Sequence, residues 1–202
     1  MYLPKHFAQT SPDALHELLS CHPLATWIVP GAAEVQVNHL PFILEQTVDG
    51  ADRLIGHVAR ANPVWQALEA GVNTIAVFQG PNSYISPNWY PSKQLDQKVV
   101  PTWNYAVVHV HGTARAVHDK DWLLDLVTRL TDKFEASQDM PWQVADAPDQ
   151  YINKMIGAIV GIELSISRMT GKWKNSQNRN AADRAGVAAG LGSSSRLVPP
   201  LD

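Results

Sequence analysis

Apolar positions along the chain change period several times, and each change marks an element. Ser11, Pro12 and Asp13 place a hydroxyl cap and a helix-compatible proline before Ala14, Leu15, Leu18 and Leu19. That helical spacing predicts a short amphipathic helix. Branched and aromatic residues then run over Ala25–Val29 and Val35–Leu44, with Pro30-Gly31 between them, which predicts two strands in a hairpin. Arg53–Val58 reads as a third strand, and Asn62-Pro63 opens a helix through Leu68, with asparagine as cap and proline at the first helical position.

Thr74–Gln79 and Ser83–Ser86 flank Gly80-Pro81-Asn82, three turn-forming residues, so a second hairpin is expected there. Val107 to Val117 alternates as a long strand interrupted by Gly112, the mark of a bulge or a close approach. Asp119 caps a helix to about Phe134, Pro148–Ile156 is helical in spacing, and Val160–Arg168 returns to period two. About seven strands with a few helices, and no regular strand–helix alternation, favour a mainly β, α+β fold built on an antiparallel barrel over a doubly wound sheet. One domain over 1–191 is expected, followed by a tail over 192–202 whose Gly and Ser content predicts disorder.

Composition narrows the class. The chain has 202 residues, 45% hydrophobic and 17% charged, an ordinary globular balance. Its net charge of -3 provides no global positive field for a nucleic-acid backbone, so DNA contact would need a local patch. Cys21 is the only cysteine, which excludes an intrachain disulfide and a cysteine zinc cage. No run reaches the roughly 18 apolar residues of a membrane helix, and the start lacks a leader pattern, so a cytoplasmic location is expected.

Four segments carry candidate chemistry, and each has a plainer structural reading. Gly56 to Pro63 delivers His57, Arg60 and Asn62 to a helix start, where free N–H groups and a guanidinium suit an anion. The same residues also make a capped helix with a surface arginine. Tyr84 to Lys93 packs Trp89, Tyr90, Ser86 and Lys93 together, a set that can cover a flat ring and meet charged oxygens, or simply a proline-rich loop pinned by aromatics. Thr102, Trp103 and Asn104 lead into a strand, and Asn104 offers a donor and an acceptor to a ring edge, although Trp103 can equally fill a barrel end. Lys172, Lys174 and Gln177 follow the last expected strand and suit a polyanion or a solvated strand end. His109 and His111 share a strand face, yet no third ligand has a recognisable spacing, and no metal is expected. No Gly-x-Ser-x-Gly elbow, Rossmann or P-loop pattern occurs.

The order of these segments resembles the PaiB-type family of FMN-binding negative transcriptional regulators. The resemblance is carried by Met1-Tyr2-x-Pro4-x-His6-Phe7 and by Gly56-His57-x-Ala59-Arg60-Ala61-Asn62-Pro63-x-Trp65. It continues in Phe78-Gln79-Gly80-Pro81-x-x-Tyr84-Ile85-Ser86-Pro87-x-Trp89-Tyr90-x-Ser92-Lys93. Val100-Pro101-Thr102-Trp103-Asn104-Tyr105 and Gly171-Lys172-Trp173-Lys174-x-Ser176-Gln177-Asn178 complete it, with Asn175 where an apolar residue is expected.

The resemblance implies an FMN-binding split β-barrel of the pyridoxamine-phosphate-oxidase-like type, working as a homodimer with FMN at the interface. It implies phosphate-side roles for His57, Arg60 and Asn62, and a loop of Ser86, Trp89, Tyr90 and Lys93 closing over ribityl and phosphate. Thr102, Trp103 and Asn104 would face the ring, and Lys172, Lys174 and Gln177 would complete the pocket. Its name implies a regulator that touches promoter DNA, whereas the residues display no helix-turn-helix. An FMN-dependent oxidoreductase acting on a small molecule is the alternative. A haem-binding barrel with His57, His109 or His111 as axial ligand is a third reading.

Overall fold

The computed structural model of the protein describes residues 1–31, 34–46, 51–69 and 71–192. The expected tail beyond Gly192 lies outside the described residues. Among the described residues the strands are β1 (Ala8–Gln9), β2 (Leu24–Pro30), β3 (Val35–Pro41), β4 (Ile43–Glu45), β5 (Arg53–Ala59), β6 (Val72–Ile85), β7 (Thr102–Val117) and β8 (Ile159–Lys174). The helices are α1 (Pro12–Cys21), α2 (Lys93–Asp96), α3 (Lys120–Glu135), α4 (Asp149–Gly157) and α5 (Ala181–Leu191), with short 3-10 turns such as Pro63–Leu68 and Pro87–Trp89. The strand order is β3-β2-β6-β7-β8-β5-β4, with β1 added on β8. The fold is the mainly β class with peripheral helices.

Cap chemistry set several boundaries as expected. The Ser11 hydroxyl accepts from Ala14 N, Asn62 from Val64 N at 3.1 Å, and Asp119 from Trp122 N at 2.8 Å. Three expectations fail. Gly80-Pro81-Asn82 makes no hairpin, because β6 runs unbroken from Val72 to Ile85. Packing explains the glycine: a Cβ at Gly80 would stand 3.0 Å from Leu18 Cδ1 and 3.3 Å from Ala106 Cβ, so the residue admits α1 against the strand. The expected strand Val35–Leu44 divides at Phe42, which is buried and donates its N–H to Pro23 O at 3.0 Å. The last strand also runs further than expected, so Lys172 and Lys174 lie within β8.

The chain divides into two compact units that share the three long strands. The first comprises residues 1–22, 78–109 and the chain from Met169; the second comprises 23–77 and 110–168. In the first, Leu15, Leu18 and Leu19 of α1 are buried, as are Phe78, Ala106, Val108 and Trp173. A second cluster there joins Ile85, Tyr90 and Val187, with Trp89 packed on it. Gly186 and Gly190 make that contact possible: a Cβ on Gly190 would fall 2.3 Å from the Trp89 ring, and one on Gly186 would fall 2.0 Å from Trp89 O.

In the second unit, Trp27, Val29, Phe42, Leu54, Val64 and Ile162 are buried. α3 covers the sheet through Leu126 and Leu130 against Ile43 and Ile55, while Trp122 occupies the space a Cβ on Gly161 would need. Glu163, 4% exposed, is held by Arg53 Nη1 at 3.0 Å and Arg115 Nε at 2.8 Å. A buried carboxylate is tolerated when paired in this way.

Candidate functional site

The candidate residues fall into the two units separately. In the second unit, β5 carries His57 opposite Gly161 of β8. The imidazole is partly buried, its Nδ1 has no hydrogen-bond partner, and burial pushes its pKa down. Arg60 is committed to the scaffold: its Nε donates to Gly157 O and its Nη2 to Ile159 O, both at 2.8 Å, at the end of α4. Its backbone N–H also donates to Ala158 O at 2.8 Å. Asn62 caps the Pro63 turn and donates to Asn38 Oδ1 at 2.7 Å. Arg60 and Asn62 thus tie and cap the junction after β5, which also carries the desolvated His57 imidazole.

The other ten lie in the first unit. Ser86 caps the Pro87 turn by accepting from Asn88 N at 3.2 Å, and Lys93 donates to Asn88 Oδ1 at 2.5 Å. The loop they define is anchored to α5: the buried Asp183 carboxylate accepts from Ser92 N at 3.1 Å and Ser92 Oγ at 2.8 Å. Alternation along β7 then divides the Thr102–Tyr105 segment between its two faces. Trp103, 53% exposed, shares a face with Tyr105 and Val107, and with Gln79 and Asn82 of β6 they line a groove of about 400 Å³. Tyr84 meets the Trp103 ring edge-on at 5.9 Å.

Thr102 and Asn104 line a different, smaller chamber. Asn104 is 2% exposed and donates to Ser176 Oγ at 3.1 Å and Asn175 Oδ1 at 3.4 Å. Gln177 closes the turn after β8 by accepting from Asn175 N and donating to Trp173 O, both at 2.6 Å. The unexpected Asn175 is thus used for its amide.

The cations here lack the acids that pair the arginines of the second unit. Lys172 is 8% exposed, yet among the described residues its ammonium meets only Tyr2 O at 3.1 Å and the rings of Tyr105 at 5.3 Å and Tyr2 at 5.7 Å. Lys174 donates to Thr102 Oγ1 and Trp103 O, both at 2.5 Å. Burial, then the neighbouring Lys172 and Arg179 charges, hold its pKa below the usual lysine value. Among the described residues no carboxylate is recorded in an ion pair with Lys172, Lys174 or Arg179. Arg179 was not singled out in the sequence, and Gln79, Asn82 and Ser176 stood there only as motif or turn residues, since isolated polar residues at turn and strand positions carry no periodic signal.

Comparison with known proteins places this geometry. Residues 1–168 match the family described as "Putative FMN-binding domain". The chain is 30% identical over 187 residues, 93% of its length and 87% of the relative's, to protease synthase and sporulation protein PAI 2 of Bacillus subtilis. It is 36% identical over 154 residues, 67% of this chain and 90% of the relative, to the protein YKL070W of Saccharomyces cerevisiae. Among solved structures it shares its fold with the FAD and haem binding protein of Mycobacterium smegmatis, with a TM-score of 0.62, 17% identity and coverage of 93% and 81%. The flavocytochrome Anf3 of Azotobacter vinelandii gives a TM-score of 0.63, 16% identity and coverage of 98% and 86%. The fold is the split-barrel type that the resemblance implied.

The residues present fit FMN. Three cations that form no ion pair among the described residues suit a phosphate dianion, and the exposed Trp103 and half-buried Tyr105 rings offer apolar faces for a flat tricycle. The chain therefore belongs to the FMN-binding domain family, together with the PaiB-type proteins, and FMN is its cofactor.

Proposed function

We propose that the protein is a homodimeric FMN-dependent oxidoreductase acting on a small molecule. The observation that carries this reading is the open groove of Trp103, Tyr105, Gln79 and Asn82, which belongs to the same unit as Lys172, Lys174 and Arg179. Bound FMN would supply reversible electron transfer. The chain's own residues bind and orient: the cations hold the anionic end, aromatic faces flank the ring, and amides such as Asn82 and Gln79 select its polar edge. The groove's volume of about 400 Å³ lies within the range of small-ligand sites.

A regulatory role is supported by the relation to PAI 2. Direct promoter-DNA binding has weaker physical support. α3 places Asp121, Asp125, Asp132 and Glu135 among Lys120, Arg129 and Lys133, and the whole chain carries -3. Phosphate contacts gain from a concentrated basic face, which this helix does not provide.

Two measurements on the FMN-loaded protein separate the roles. Bleaching of the flavin absorbance by a reduced nicotinamide, followed by recovery on adding a small electron acceptor, is the outcome expected here. Sequence-selective retardation of promoter DNA surviving about 150 mM salt, without flavin turnover, would replace this reading with the regulatory one.

A further inference from the structure

We infer that the groove between α3 and α4 is a docking site for a basic, amphipathic helix of a partner protein. The groove holds about 630 Å³ and is walled by Leu124, Thr128 and Asp132 of α3 and by Asp149 and Ile152 of α4, with Val144 between the helices. All of these residues belong to the second unit, and none of those fitted to FMN lines the groove. The inference therefore stands apart from the flavin reading.

The apolar pattern of the two helices leaves this side uncovered. Tyr151, Ile152, Met155 and Ile156 make a stripe at helical spacing along α4, yet only Ile156 is buried, Ile152 is half-buried, and Tyr151 and Met155 are exposed. α3 turns Leu126 and Leu130 onto the sheet and leaves Leu124 exposed. Trp142, also exposed, is held at the C-terminal end of α3 by its N–H, which donates to Glu135 Oε2 at 3.1 Å, and the next residue, Gln143, lines the groove. Contiguous apolar surface of this kind marks an interaction site. Leu124, Thr128 and Asp132 stand four residues apart, so their wall runs about 12 Å along α3. Two helical turns is the reach of the anchors with which an amphipathic helix enters a groove.

Charge selects the occupant. Asp132 and Asp149 line the groove, no lysine or arginine does, and among the described residues neither carboxylate is in an ion pair. Asp149 opens α4, where a carboxylate stabilises the helix end. Asp132 lies in the last turn of α3, where the helix end disfavours negative charge, so it serves the isolated fold badly and a cationic partner well. From residue 132 to 154, Glu135, Asp139 and Asp146 add to these acids, and only Lys133 and Lys154 oppose them. A second copy meeting this side about a two-fold axis would bring the same acids against each other, and an anionic membrane surface would be repelled. Apolar anchors flanked by lysine or arginine match both the groove and its charge.

The full chain loaded with FMN is titrated at about 150 mM salt with fluorescein-labelled peptides of about 15 residues. One carries leucine and lysine at helical spacing, one leucine and glutamate in the same pattern, and one lysine with serine in place of leucine. Anisotropy compares wild type, Leu124→Gln and Asp132→Lys, with circular dichroism and FMN affinity checking the fold and sedimentation velocity checking self-association. Only the leucine–lysine peptide is expected to bind, and each substitution to weaken it at least about tenfold with FMN affinity unchanged. Equal binding of the lysine–serine peptide, leucine–lysine binding indifferent to both substitutions, or no binding of any peptide would overturn the inference. A change of oligomeric state in Leu124→Gln would overturn it as well and assign the groove to a second copy of the chain.

Discussion

Lys174→Met separates a ligand-binding lysine from a structural one, because the two roles move stability and affinity differently. The methionine retains the apolar stem and removes a charge that lies beside Lys172 and Arg179 and is partly desolvated. Two effects on the unliganded fold oppose each other. The donors to Thr102 Oγ1 and Trp103 O are lost, costing about 0.5–1.5 kcal/mol each. The like-charge repulsion and the desolvation of the ammonium are relieved. A net change within about 1 kcal/mol follows, which for a chain of this size is about 2–4 °C in melting temperature.

Binding has no such offset. Losing one charge-assisted phosphate contact costs about 1.5–3 kcal/mol, or about 10- to 150-fold in Kd for FMN. Flavin fluorescence titration at fixed ionic strength, with thermal melts in parallel, reads both. The lysine's pKa is depressed in the fold, so the unfolded chain holds more protons between the folded value and about 10.4. Wild-type stability therefore rises with pH across that window, and Lys174→Met should abolish this part of the rise. An unchanged Kd with a melting temperature lowered by more than about 5 °C would make Lys174 a strand-end clamp and refute the reasoning.

Three further outcomes follow from the packing. Gly190→Ala gains about 1 kcal/mol of helix propensity but drives a Cβ to 2.3 Å from the Trp89 ring; overpacking of about 1–3 kcal/mol should win, and urea unfolding showing increased stability would mean Trp89 yields freely. Arg60→Ala, by removing donors to Gly157 O and Ile159 O, should cost about 1–3 kcal/mol in denaturant midpoints; unchanged stability with weakened FMN binding would instead restore the phosphate role suggested by sequence. His57 has a pKa lowered by burial, so the unfolded chain gains protons first and wild-type stability falls as pH drops through about 6.5. His57→Leu should flatten that decline in unfolding curves between pH 7.5 and pH 5.5 (about one unit either side of the free value), and an identical decline in the variant would assign it to other groups.

How far these features were legible in the sequence depended on how local their causes are. Caps at Ser11, Asn62 and Asp119 were readable because a side chain accepts from an N–H two or three residues away. The alternation of Val107–Val117 was readable for the same reason. Gly80 was misread because its role is a tertiary approach by Leu18, which looks identical in sequence to a turn glycine. The expected strand stops at Arg168, whereas β8 continues through Gly171, whose missing Cβ makes room for Leu15 and the Gln9 carbonyl.

The site shows the same division. Thr102, Asn104 and Lys174 line one chamber while Trp103 lies on the other face of β7, and only register shows that the segment serves two cavities. Arg60 read as an anion contact because its two carbonyl acceptors lie almost a hundred positions away, at separations of 97 and 99. Arg179 had no signal at all, and Ser176 stood in the motif from Gly171 to Asn178 with nothing to mark its left-handed backbone. Asp183, which fixes the loop of Ser92 and Lys93, was hidden in a segment read only as helix-permissive.

The central claim is that this chain is built to hold FMN, and the most direct test is the chromophore itself. Protein purified under native conditions and incubated with FMN, FAD and haem together is washed, denatured, and its released ligand identified by mass spectrometry. FMN at close to one molecule per chain is the expected result. Release of haem or FAD in its place, or of no ligand, would contradict the account.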